Sequence, residues 1–264
     1  MADKAQIAAA YNAALDRYGE PAIAHRDHFG RRLAEAAEPR PGDYVLDVCC
    51  GTGSSALPAA RAVGAGGRVI GVDLAEAAVL RARERAKQEG LANVEFRVAD
   101  FDKVYFRPAS FDAAICGFGI FFLPDMIAAL AKMWRLLRGG GRLAILTRGP
   151  NVFEPGNTLF WDAVRRERPE LYKAFASWER LTTPEQVREV FGRAGIAEVE
   201  IAAEDPGHEL ESAEDFWQLV MGTGYRGTVD RLTEEERERV RAACLSLDTL
   251  RLTSPALYAV AKKP

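Results

Sequence analysis

Val45-Leu46-Asp47-Val48-Cys49-Cys50-Gly51-Thr52-Gly53 is the stretch that decides the fold. An apolar run passes straight into a glycine turn, and an Ala-rich segment of helical period follows at 54–63. Gly51 and Gly53 permit a sharp turn and a close backbone approach by a ligand. A helix that starts there aims its free N–H groups at that ligand. Outward from this turn the pattern alternates. Strands are predicted at 44–48, 68–72, 94–99, 111–116 and 142–147, and helices at 54–63, 75–88 and 125–138. The last of these helices carries Ile127, Leu130, Ala131, Trp134 and Leu137 on one face and stops at Gly139-Gly140-Gly141. Alternation at this spacing predicts a parallel sheet covered by helices on both sides.

Two ligands fit the turn. Gly51-Thr52-Gly53-Ser54-Ser55-Ala56 satisfies the loose dinucleotide fingerprint, and Asp73 stands at the next strand end, where an acid holds a ribose diol. Read alone, that pair binds NAD, and an NAD-dependent oxidoreductase is one alternative. Asp47 argues the other way, because a carboxylate just ahead of the turn repels a pyrophosphate but can receive a ligand ammonium. Asp100-Phe101 ends the third strand, where an acid can accept from an adenine amino group.

Five blocks in order across 44–147 resemble the class I S-adenosylmethionine-dependent methyltransferases, closest in style to the quinone-biosynthesis methylases and their small-molecule relatives. The blocks are 45–53, 67–74, 93–100, 110–115 and 136–143. The resemblance implies a doubly wound, mostly parallel seven-stranded Rossmann-like α/β sheet that ends in an antiparallel strand pair and carries a helical lid. It implies S-adenosylmethionine as cofactor. Gly51 and Gly53 would pack under its methionine part and Asp47 would help hold the ammonium. Asp73 would take both ribose hydroxyls, and Leu74 would lie against the adenine. Asp100 would face the adenine amino group, with the Phe101 backbone at the ring edge, and Cys116 would offer its carbonyl to the ammonium. Cys49, also on the cofactor turn, stands where the family has glycine. The loop Phe118-Gly119-Ile120-Phe121-Phe122 puts aromatics where the quinone methylases carry polar residues, which points away from quinone precursors as acceptors.

The flanks read as a cap and a lid around a single methyltransferase domain spanning 1–264. Residues 1–38 form an N-terminal helical cap, 39–150 the cofactor-binding core, and 151–264 the lid insertions and closing strands. Ile7, Tyr11, Ala14 and Tyr18 make one stripe, so Tyr11 and Tyr18 are candidates to close over the cofactor, with plain core packing as the alternative. Thr183-Pro184-Glu185-Gln186, Ser212–Asp215 and Thr233–Glu236 are capping signatures. They start helices, two of which are predicted at 212–221 and 233–250. Closing strands are predicted at 198–202 and 257–261.

Composition bounds the rest. The chain has 264 residues, 48% hydrophobic and 28% charged, with a formal net charge of −3, so a general nucleic-acid binder is not expected. Four cysteines and three histidines show no metal-ligand spacing, and no metal is expected. No signal peptide is visible, and the apolar run between Asp112 and Asp125 falls short of the roughly 20 residues that span a bilayer. A cytoplasmic enzyme is expected. His25, His28 and His208 are the candidates for a general base, with surface histidines as the alternative reading. The expected reaction is C- or O-methylation of a small, largely apolar acceptor. A non-catalytic adenosylmethionine-binding protein is the other alternative.

Overall fold

The computed structural model describes residues 9, 12, 21–173 and 177–264. In chain order the regular elements are α1 (Pro21–Ala36), β1 (Tyr44–Val48), α2 (Ala56–Val63), β2 (Arg68–Asp73), α3 (Glu76–Gln88), β3 (Val94–Val98), β4 (Phe111–Gly117), α4 (Met126–Leu136) and β5 (Leu137–Arg148). There follow α5 (Gly156–Glu167), α6 (Pro184–Arg193), β6 (Glu200–Glu204), β7 (His208–Glu209), α7 (Ala213–Met221), α8 (Arg226–Val229), α9 (Glu234–Cys244), β8 (Arg251–Leu252) and β9 (Ala256–Lys262).

Seven strands form one sheet in the order β3-β2-β1-β4-β5-β9-β6, and β9 alone runs antiparallel to its neighbours. The expected architecture is therefore present. The order reverses between β1 and β4, which opens a crevice at the carboxyl ends of the strands, where such sheets hold ligands. Helices α1, α2 and α3 bury Phe29, Leu33, Leu57, Val63 and Val79 against one face. Helices α4 and α6 bury Leu130, Met133, Val187 and Phe191 against the other. A third apolar cluster ties α5, α7 and α9 together through Phe160, Phe216, Trp217 and Val240. These three helices thus have a core of their own.

Several elements differ from expectation; the strand expected at 198–202 lies at Glu200–Glu204. The strand predicted at 142–147 starts at Leu137 and runs through the three glycines. The backbone N–H of Gly140 donates to the Lys263 carbonyl, and the Lys263 N–H donates to that of Gly141, so the glycine run is paired rather than a turn. The preceding helix accordingly stops at Leu136, and the Lys263 ammonium donates to the carbonyls of Trp134 and Leu137 at its end. The helix predicted over 233–250 stops at Cys244. Beyond it β8 pairs with β7, a small second sheet that lacks a periodicity signal because each strand has two residues. All three helix starts are capped as read. Thr183 and Thr233 accept from the N–H of Gln186 and Glu236, and Asp215 accepts from Ser212.

Candidate active site

Three positive φ angles within five residues build the turn after β1: Cys49 at 57°, Gly51 at 52° and Gly53 at 85°. At Gly53 a Cβ would lie 3.1 Å from the Phe96 ring and 3.2 Å from Leu57, so this glycine lets the turn seat against the core. At Gly51 a Cβ would point into open space on the cavity wall. The turn is tied to β2 by one carboxylate. Asp73 accepts from the Gly51 N–H and from the Ala75 N–H, both at 2.8 Å. Burial pushes its pKa up, while those backbone donors pull it back. The Asn12 side-chain oxygen accepts from the Ala77 N–H beside it, so the chain ahead of α1 reaches this end of the cavity.

Asp47 lies beneath the turn, fully buried. Its Oδ2 accepts from the Ser55 hydroxyl at 2.6 Å, and Oδ1 meets no hydrogen-bond partner among the described residues. Burial is the main reason its pKa rises to about 7. The Ser55 bond opposes that rise, and the charge of Asp73 adds to it. A native pKa above the ordinary aspartate value of about 3.9 means that the folded chain binds the proton more tightly than the unfolded one. This contribution to stability is complete below about pH 4 and is lost as pH rises through 7, at up to about 1.4 kcal/mol per pH unit. Unfolding the ligand-free chain and its Asp47→Asn variant across this range is expected to show the wild type losing ground from pH 4 to 7. Parallel curves would place the protonation elsewhere.

The cavity runs from this turn to the lid. One end is walled by Gly51, Asp73, Leu74 and Asp100, the other by Phe118, Phe122, Phe153, Trp178 and Tyr225. Leu74 is 38% exposed there. Among the described lining residues the carboxylates are Asp73 and Asp100, at one end, and the guanidinium groups are Arg26 and Arg148. Asp100 accepts from the Asp102 N–H, and the Phe101 carbonyl accepts from the Lys132 ammonium, which also sits 4.5 Å from the Phe101 ring centre. Cys116 is wholly buried behind the wall, and Gly117 is the residue of β4 that faces the cavity. Gly119 admits no side chain, because a Cβ would lie 2.4 Å from that of Cys49. The Cys116 thiol and burial push the Cys49 pKa up, and burial raises that of Cys50. Neither thiol is ionised at neutral pH, which suits packing roles.

The sequence singled out residues that the structure distributes unevenly. Cys49, Gly51, Asp73, Leu74, Asp100 and Phe101 meet on one wall, and Asp47 and Gly53 support it from behind. Tyr11 and Tyr18 lie outside the described residues. None of the three histidines is on the wall. His25 and His208 meet each other at a tilt with centroids 4.6 Å apart and meet Phe153 edge-on at 5.8 and 6.5 Å, so they stand behind that ring. His28 lies 3.3 Å from Glu204 on the outer side of α1. Arg26, Ser55 and Arg148 went unread, although Arg148 ends a strand just as Asp73 does.

A methyltransferase-domain family matches residues 45–141. Nocamycin O-methyltransferase of Saccharothrix syringae is 32% identical over 230 residues, covering 83% of this chain and 81% of that protein. Aklanonic acid methyltransferase DauC of Streptomyces sp. (strain C5) is 36% identical over 157 residues, 60% of this chain and 70% of that one. Among solved structures, the YcgJ protein of Bacillus superimposes with a TM-score of 0.61 at 20% identity, over 89% of this chain and 98% of its own.

Proposed function

Since the chain belongs to the class I S-adenosylmethionine-dependent methyltransferases, we propose that its acceptor is a small, largely apolar molecule methylated at oxygen or carbon. The cofactor is S-adenosylmethionine. The residues present fit it. Gly51 opens onto the cavity with space where a side chain would stand, and Asp47 keeps one buried oxygen without a partner in the described residues. When bound, the cofactor supplies a methyl group on a sulfonium, which needs alignment with a nucleophile more than chemical activation.

In this reading Asp73 holds the ribose hydroxyls, its carboxylate already oriented by two backbone donors. Leu74 covers the adenine, Asp100 and the Phe101 backbone meet its polar edge, and Asp47 with Ser55 faces the ammonium. Cys116 is replaced in that role by Gly117, the residue on the wall. The aromatic end seats the acceptor and excludes water. The histidines take no part, so transfer rests on positioning. The division into a cap over 1–38, a core over 39–150 and a lid over 151–264 belongs to the same proposal. So do the exclusion of nucleic acid, in keeping with a net charge of −3, and a cytoplasmic location, in keeping with four free cysteines. Among the described residues no helix is long and apolar enough to cross a membrane.

The observation that carries the acceptor class is the ring wall itself. Nocamycin O-methyltransferase and aklanonic acid methyltransferase are named for small organic acceptors, in agreement with it. Labelled methyl transfer to phenolic, quinone-like and polyketide-like compounds is expected, with none to total RNA or protein extract. Transfer to RNA or protein alone overturns the proposal. Asp73→Ala is expected to weaken cofactor binding by about 1.5–3 kcal/mol, roughly 10- to 150-fold, because a charge-assisted acceptor is lost. Calorimetry with S-adenosylhomocysteine measures this, and unchanged affinity would refute the ribose assignment.

A further inference from the structure

The chain after β3 carries both residues assigned to the adenine, Asp100 and Phe101. Residues 99–104 belong to no helix or strand, so their backbone groups need partners of another kind. Asp100 serves the donors. Its carbonyl accepts from the N–H groups of Lys103 and Val104, each at 2.9 Å, and its carboxylate accepts from that of Asp102 at 3.0 Å. Lys132, on α4, serves the carbonyls. Its ammonium donates to the carbonyl oxygens of Phe101, of Asp102 at 3.4 Å and of Val104 at 2.7 Å. An ammonium has three N–H donors, and one acceptor stands for each. The same charge lies 4.5 Å from the centre of the Phe101 ring, which is buried in the core. Leu130 and Met133, on either side of Lys132, are buried in that core too and fix α4 against the sheet.

We propose that Lys132 is the positioning residue for adenine recognition: it holds the loop in the one shape that keeps Asp100 at the amino group of the base. The inference rests on the assignment of Asp100 to that group and adds the residue that fixes it there. Asp100 and Phe101 line the cavity and Lys132 does not, so Lys132 acts through the loop. Hydrogen bonds from a charged donor are stronger than those between neutral groups, and three of them converge on this one atom. Without them the loop keeps only its local turn bonds. A hydrogen bond weakens steeply as its angle opens, so a small shift of the loop costs the contact to the base. The ribose contact is untouched by such a shift, because Asp73 is held by the Gly51 and Ala75 N–H groups instead. Lys132 therefore governs selection among bases rather than affinity for the rest of the cofactor.

The test compares S-adenosylhomocysteine with S-inosylhomocysteine, in which an oxygen replaces the amino group of the base. Calorimetry on the wild type is expected to show the adenosyl compound binding about tenfold or more tightly, because the analogue leaves the acceptor unpaired. In Lys132→Met that preference is expected to fall within about threefold, with affinity for the inosyl compound unchanged. Lys132→Gln, which keeps two donors, is expected to keep an intermediate preference. Adding Lys132→Met to Asp100→Ala should lower the preference no further, since both act on one contact. Equal weakening of both compounds in Lys132→Met, with the preference intact, is what a merely structural lysine would give, and it overturns the proposal. So does an undiminished preference in Lys132→Gln, which decides the matter if circular dichroism shows Lys132→Met unfolded. A wild type that binds both compounds equally overturns the assignment of Asp100 and the proposal with it. A wild type that binds neither overturns the methyltransferase reading. Discrimination by the wild type that the Lys132 variants retain in full overturns the proposal alone.

Discussion

Gly51→Val is expected to leave a folded chain whose affinity for S-adenosylmethionine is more than about 100-fold weaker, a loss above roughly 2.7 kcal/mol. Two effects add. The φ of 52° is one that a β-branched residue adopts at a cost of about 1–2 kcal/mol. The new side chain would also stand in the open space of the cavity wall, where no atom of the described residues beyond the chain neighbours lies within 4 Å of its Cβ. The second effect dominates, since the valine would occupy the volume that the proposed site gives to the methionine part of the cofactor. Calorimetry reports the affinity, and circular dichroism reports the fold. A variant that folds and binds normally would show that the cofactor does not approach this turn.

Phe29→Ala is expected to lower the unfolding free energy by about 3–5 kcal/mol, in the range found for deleting a large buried ring. Phe29 is wholly buried. Its ring meets His25, His28 and Phe118 edge-on, with centroids 5.9, 5.3 and 5.4 Å away. Beside it Gly30 lies so close to Ser54 that a Cβ would come within 2.3 Å of the Ser54 carbonyl oxygen. The ring and the close approach together seat α1 on the turn, and no neighbour can collapse into the space left by the ring without moving that helix. Urea unfolding checks the magnitude, and a loss below about 1 kcal/mol would mean that α1 is held by other contacts.

The part of the site that was legible in the sequence sits where a strand ends and a glycine turn begins. Asp47, Gly51 and Asp73 could be read because backbone geometry fixes them: a buried apolar strand ends, a turn must follow, and the acids at the ends of β1 and β2 lie beside that turn. Arg148 obeys the same rule. The apolar run that marks the strand ends at Thr147, so the pattern alone does not include it. The acceptor end was illegible for a different reason. Phe153, Trp178 and Tyr225 come from separate lid segments, and only packing among α5, α7 and α9 decides which rings face inward and which, like Phe160 and Phe216, bury themselves in the lid. The histidines show the same limit, since their residue type suggested acid–base work while tertiary packing set His25 and His208 behind Phe153 and His28 against Glu204.

The pairing of β9 has a consequence for the order in which a nascent chain can fold. The strand at 256–262 is inserted between β5 and β6, both of which are made earlier. While synthesis is at residue 250, β5 therefore presents an open edge whose inner residues, Leu143 to Leu146, are all apolar, and β6 has no neighbour at all. Such an edge is a template for pairing with another chain. The half of the sheet that carries the glycine turn, β3-β2-β1-β4, is complete by then and can form first.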